Sequence, residues 1–134
     1  MKLEIAGNRK IISEDNVDFV ILDSVNGSIG ILPGHTPLLA ELKIAPMSYD
    51  KGGERRHVAV MGGVVRVIHD NVTIITEDAE SAMEIDVLKA RKEKEMAEAY
   101  MSKKVEITET VRAEIELRKA IARLKAVEIS KRHP

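Results

Sequence analysis

Up to Thr76 the apolar positions fall in brief alternating runs rich in β-branched residues, and turn residues break the runs at close intervals. Alternation with a period of two marks strands that bury one face. Phe19-Val20-Ile21-Leu22 leads towards Asn26-Gly27, and Ile29-Gly30-Ile31-Leu32 into Pro33-Gly34. Asn-Gly between apolar runs predicts a tight hairpin whose two turn positions both have positive φ. Lys51-Gly52-Gly53, Gly62-Gly63 and Asp70-Asn71 then separate Tyr49, His57 to Met61, Val64 to Ile68 and Val72 to Thr76. So many short strands predict a sandwich or flattened barrel.

The pattern changes near residue 80. From Ala79 onward Gly is absent, Pro occurs only at the last residue, and Ala, Glu, Lys, Arg, Leu, Ile and Met dominate, which is the composition of helices. Val87, Leu88, Met96, Ala97, Tyr100 and Met101 mark one helix, and Ile107, Val111, Ile115, Ile121, Leu124 and Val127 a second. The weaker stretch Ser102-Lys103-Lys104 with Thr108-Glu109-Thr110 suits the bend of an antiparallel hairpin. The chain is therefore read as α+β, with a β-sandwich over residues 1–79 and a two-helix hairpin over 80–134. Both apolar stripes are narrow and Ala-rich, so burial at about 25 cal/mol per Å² hardly offsets the entropy of ordering the pair. The hairpin should depend on docking to the sandwich, on a ligand or on another chain, and should be able to leave its seat.

Charge sharpens this picture. The 134 residues carry a formal net charge of −1, which excludes a global basic field for nucleic acid, and three aromatic residues give no stacking platform. The charge is unevenly spread: residues 77–109 hold ten acidic and six basic side chains, whereas 112–134 hold three acidic and seven basic ones. The last helix is cationic. No cysteine is present, which removes disulfides and thiol chemistry. His35, His57, His69 and His133 lack the spacing that sets two ligands on one helical face, so no metal site is expected. Neither a nucleophile elbow nor a phosphate-binding glycine loop occurs, and no catalytic residue is expected. No apolar run approaches the roughly 20 residues of a membrane span.

The segment Gly30-Ile31-Leu32-Pro33-Gly34-His35-Thr36-Pro37-Leu38-Leu39 reads physically as a stiff turn with apolar flanks, a fixed contact surface. It resembles the Gly-x-Leu-Pro-Gly-His-x-Pro-Leu signature of the epsilon subunits of bacterial F-type ATP synthases. Gly62-Gly63, Asp70-Asn71-Val72-Thr73-Ile74, Ala79-Glu80 and Ile85-Asp86 fall in register with the same family.

The resemblance implies a sandwich, usually of ten strands, that binds the gamma subunit and rests on the c-ring, followed by two regulatory helices. Ser28, Pro33, Gly34 and His35 are then the c-ring contacts, although the family often has an acidic residue where Ser28 stands. Folded down, the helices are permissive. Extended among the catalytic alpha and beta subunits, they inhibit ATP hydrolysis, and Arg112, Arg118, Lys119, Arg123 and Lys125 are the basic residues suited to that contact. Some members bind ATP in the folded hairpin through Ile-Asp-x-x-Arg-Ala and two later arginines. The matching positions here are Ile85, Asp86, Lys89 and Ala90, with Lys119, Arg123 and Glu80, so two expected arginines are lysines and lose the bidentate fork. ATP is thus expected as a regulatory ligand and no cofactor as a requirement. The family places such a chain on the cytoplasmic side of the membrane, peripheral, within the complex. The competing reading is a free-standing interaction module whose hairpin docks a client protein.

Overall fold

The computed structural model describes residues 1–103 and 106–132; Lys104 and His133 lie outside the described residues. Eight strands come first: β1 (Lys2–Ala6), β2 (Ile11–Glu14), β3 (Val17–Ser24), β4 (Gly27–Ile31), β5 (Leu38–Lys51), β6 (Glu54–Ile68), β7 (Asn71–Ile75) and β8 (Ala79–Ser81). A single 3-10 turn, Ala82–Glu84, leads to α1 (Val87–Met101) and α2 (Ile107–Arg132). The strands run in the order β2-β1-β7-β6-β5-β3-β4, with β8 added to β6. Among the described residues only β1 and β7 pair in parallel.

Period-two burial explains the strands. Leu3 and Ile5 of β1, Val20 and Leu22 of β3, and Val72 and Ile74 of β7 are buried while their neighbours are not. β1, next to the first strand of the sheet path, and β4, the last, have four strands between them, yet Leu3, Ile5 and Ile31 share one core with Val58, Val65, Val67 and Ala79. The sheet therefore folds over onto itself as a sandwich. β5 and β6 are long because they run through both layers. β6 pairs with β7 through Val64–Ile68 and with β8 through Val58–Val60, on either side of Gly62 and Gly63. The two runs read separately in the sequence, His57 to Met61 and Val64 to Ile68, are the halves of this one strand; counting β5 and β6 twice gives the ten expected strands.

Turn chemistry agrees with the sequence at one place, is displaced by one residue from the expected Asp70-Asn71 at a second, where Asn71 already pairs with Ile68, and differs at a third. Gly52 and Gly53, both at positive φ, close the β5–β6 hairpin, and His69 and Asp70 do the same for β6–β7. At β3–β4, however, Ser24 pairs with Gly27, so the loop residues are Val25 and Asn26, and of Asn26 and Gly27 only Gly27 has positive φ. The Ser24 hydroxyl accepts from Asn26 N–H at 3.1 Å and donates to the Gly27 carbonyl at 2.8 Å. That side chain closes the turn in place of the expected Asn-Gly backbone conformation.

The helices form the antiparallel hairpin, α2 packing on β5, β6 and the 3-10 turn, and α1 on α2. The 79/80 division read from the sequence falls within β8, whose Ala79 still belongs to the sandwich core.

Candidate functional site

The seam between hairpin and sandwich brings together Glu80, Ile85, Lys119 and Arg123 of the singled-out side chains. Its floor is a small cluster, separate from the main core, of Ala59 and Met61 of β6, Ala82, Ile85 and Ala126, with Ile44 and Val127 at its edge. Alanines at 113, 120, 122 and 126 are buried along α2, so its backbone lies close to the neighbouring elements with little side chain between. Few atoms are removed from water per turn, which keeps the seat weak.

Charged groups close the seam. Arg123, its side chain 15% exposed, donates from Nε to Glu80 Oε1 at 2.6 Å and from Nη1 to Glu93 Oε2 at 3.4 Å. One guanidinium thus joins β8, α1 and α2. One turn earlier on the same face, Lys119 Nζ, 13% exposed, meets Glu77 Oε1 at 2.7 Å and Glu116 Oε1 at 3.7 Å. Beyond the seam, Arg9 ties the β1–β2 connection to Asp78 in the β7–β8 link, and Lys10 ties it to Glu84 at the start of the helical part.

The nucleotide candidates divide between two places. Glu80, Lys119 and Arg123 form the ion pairs just described. Asp86 is the N-cap of α1, its Oδ1 accepting from Lys89 N–H at 3.1 Å; both residues are exposed, while Ala90 is 2% exposed and Ile85 9%. Capping alone accounts for an acid at 86, because it satisfies one of the first free N–H groups of the helix. Of the five basic residues expected to act in the extended form, Arg118 pairs with Glu114 on its own helix at 2.6 Å. Arg112 lines a cleft of about 340 Å³ between α1 and α2 with Met96, Tyr100 and Glu109, and Lys125 is exposed. Glu77, Glu93 and Glu116 escaped the sequence reading; the acidic excess over 77–109 was the only signal for the first two, and Glu116, in the cationic last segment, had none.

The second candidate surface lies at the other end of the fold. Leu32 to His35 make a tight turn, with His35 N–H bonded to the Leu32 carbonyl at 3.1 Å, Pro33 second and Gly34 third at φ 81. That is the type II geometry anticipated from Pro-Gly. Asp70 fixes it from the β6–β7 turn by accepting Gly34 N–H at 2.6 Å. Leu32 is left 59% exposed at the tip. Ser28 is exposed too, but it sits beside the β3–β4 turn. Pro33 is five residues on from Ser28, and the three strand steps from Ser28 to Ile31 alone span about 10 Å at ~3.3 Å each, so the four expected contacts are one strand's two ends rather than one loop.

On β5, Tyr49 is 4% exposed and donates to Glu14 Oε2 at 3.1 Å. Burial, then the charge of Glu14, pushes its phenol up to about 12. Among the described residues no cluster of His, Cys, Asp or Glu could hold a metal, and no helix is long and apolar enough to cross a membrane.

Residues 1–82 match the family model described as ATP synthase, Delta/Epsilon chain, beta-sandwich domain, and residues 83–128 the one described as ATP synthase, Delta/Epsilon chain, long alpha-helix domain. The chain is 40% identical over 128 residues to the ATP synthase epsilon chain of Syntrophobacter fumaroxidans, covering 96% of each. It is 37% identical over 127 residues to that of Desulforamulus reducens, covering 95% of this chain and 96% of the other. In fold it is similar to a chain of the Euglena gracilis mitochondrial ATP synthase, with a TM-score of 0.81 at 24% identity over 93% of this chain and 79% of that one. A chain of the Tetrahymena thermophila mitochondrial ATP synthase central stalk and c-ring superposes with a TM-score of 0.61 at 14% identity, over 94% and 95%. Sandwich, hairpin and the sequence matches that run through both agree: the chain belongs to the ATP synthase delta/epsilon chain family.

Proposed function

We propose that this chain is the coupling and regulatory epsilon subunit of a rotary ATP synthase, with a fixed sandwich and a movable helical arm. The observation that carries the proposal is the separation of the two cores. The main core lies wholly within residues 3–79, whereas the hairpin is held by the small cluster around Ala59, Met61, Ala82, Ile85 and Ala126 and by a few ion pairs. An arm seated on alanines and partly exposed charges can be released without melting the platform.

In this reading the sandwich grips the gamma subunit and the stiff Leu32–His35 turn, braced by Asp70, meets the c-ring, with Ser28 contacting it separately. Released, α2 turns Arg112, Arg118, Lys119, Arg123 and Lys125 towards the catalytic alpha and beta subunits, where opposite charge favours the extended form. ATP acts as a regulatory ligand of the folded arm, its phosphates facing Lys89, Lys119 and Arg123 and its base and ribose near Ile85, Asp86, Ala90 and Glu80. The complex then works at the cytoplasmic face of the cell membrane, and this chain contributes no catalytic group to it.

Hydrolysis by the assembled complex tests the proposal. With the chain cut after Ala82, ATP hydrolysis should exceed that of the intact complex several-fold. Equal rates across ionic strength and nucleotide concentration overturn the regulatory role, and failure of the truncated chain to co-purify with gamma overturns the coupling role.

A further inference from the structure

Arg123 and Lys119 are the cations best placed at the seam for a phosphate, and both are already neutralised from within the chain. Around them stand four carboxylates, Glu77, Glu80, Glu93 and Glu116, within 4.0 Å of one or other cation. Four negative groups against two positive ones give the seam a local excess of negative charge. A polyanion entering it meets repulsion before it meets a free donor. The contacts are not equivalent. Glu80 sits on Arg123 Nε at 2.6 Å, whereas Glu93, half-buried on the face of α1 turned to α2, reaches Nη1 at 3.4 Å. Glu93 is the looser partner and the one on the element opposite the sandwich. It occupies Nη1 beside the cleft between α1 and α2, from which an incoming phosphate would approach.

We propose that Glu93 is an internal stand-in for a phosphate group, so that this hairpin folds down without nucleotide and Glu93 sets how weakly a nucleotide binds. The inference rests on the reading of the seam as an ATP site and deepens it. Removing one charge from Glu93 frees Nη1 and leaves the Arg123–Glu80 contact between β8 and α2 intact. The seat stays latched while the phosphate position opens. Glu98 lies on the same helix and is exposed, so Glu98→Gln makes the same change in net charge without touching Arg123.

The test uses the full chain. Calorimetric titration with ATP and, in parallel, with inorganic tripolyphosphate is run on the parent, Glu93→Gln and Glu98→Gln at fixed low salt. Glu93→Gln is expected to tighten ATP binding at least fivefold over the parent, and Glu98→Gln less than twofold. Equal tightening by the two variants, or none by Glu93→Gln where the parent does bind ATP, overturns the stand-in role and leaves the ATP site standing. Absence of heat from all three chains at millimolar ATP overturns the site and the stand-in together. Tightening towards tripolyphosphate alone places Glu93 on the phosphates but removes the adenine subsite.

The chain has no cysteine, so spin labels placed by Ser13→Cys and Ser130→Cys, two residues that line one cleft between β2 and the end of α2, read the seat directly. A single short distance without nucleotide, unchanged by ATP, is expected. A short distance seen only with ATP overturns self-latching.

Discussion

Gly62 and Gly63 stand where β6 passes from one layer of the sandwich to the other, at φ 75 and 113. A Cβ on Gly63 would lie 1.9 Å from the Ile75 carbonyl oxygen, so the strand could not keep its pairing with β7. Gly34 also has positive φ, but a Cβ there meets nothing within 4 Å. Gly63→Ala should therefore cost about 3 kcal/mol or more in urea unfolding, combining backbone strain with a clash, and Gly34→Ala about 1 kcal/mol. Tyr49 supplies a second test at this scale. Its folded-state phenol is pushed up to about 12, against about 10 for an unperturbed tyrosine, so the stability it lends is complete below pH 10 and is lost as pH rises from 10 to 12. The loss is on the order of 2 kcal/mol by linkage. Alkaline unfolding of Tyr49→Phe should lack that limb, and a parent and variant with the same alkaline profile would contradict the buried assignment.

Strands, turns and helices were legible in the sequence to different degrees, for physical reasons that particular elements show. Period-two burial in β1, β3 and β7 is a local property and reads directly from alternating residues. The unity of β5 and of β6 does not, because a Gly-Gly step looks like a turn unless the partner strand is seen to continue opposite it. Ser24 displaced the Asn26-Gly27 turn by a side-chain bond that spacing alone does not reveal. Within the hairpin, Lys119 and Arg123 were picked out by position, but Glu77 and Glu93 approach from 42 and 30 residues away and have no motif. α2 itself offers the test at this scale. Ala126 is fully buried against Ala59, Met61, Ala82 and Ile85, so Ala126→Leu overfills a seam with no room and should destabilise the seat by about 1–3 kcal/mol. Hydrogen exchange should then rise in α2 and α1 while the amides of β1, β3 and β7 keep their protection. Uniform loss of protection would mean that the two parts unfold as one.

At the scale of the whole molecule, the distribution of buried volume decides what can be removed. Leu3, Ile5, Val17, Val20, Ile31, Val58, Val65, Val67, Val72 and Ile74 are the large side chains that are fully enclosed, and all lie between residues 3 and 74. The hairpin's own buried residues are chiefly alanines, and Leu88, Met96, Tyr100, Ile107, Val111 and Ile115 remain exposed. A helix of 15 residues and one of 26, joined with so little apolar contact, sit near the limit at which isolated helices hold together in water. The chain cut after Ala82 should therefore keep a cooperative denaturant transition, with a midpoint lowered only by loss of the seam. A peptide spanning residues 83–132 should show weak, non-cooperative helicity that falls steadily on heating. Both outcomes are read by circular dichroism, and the second fixes the direction of dependence: the arm needs the platform, or a partner surface that replaces it, while the platform does not need the arm. A peptide with a sharp melting transition of its own would reverse that order and make release of the hairpin a rigid-body step between two independently stable folds.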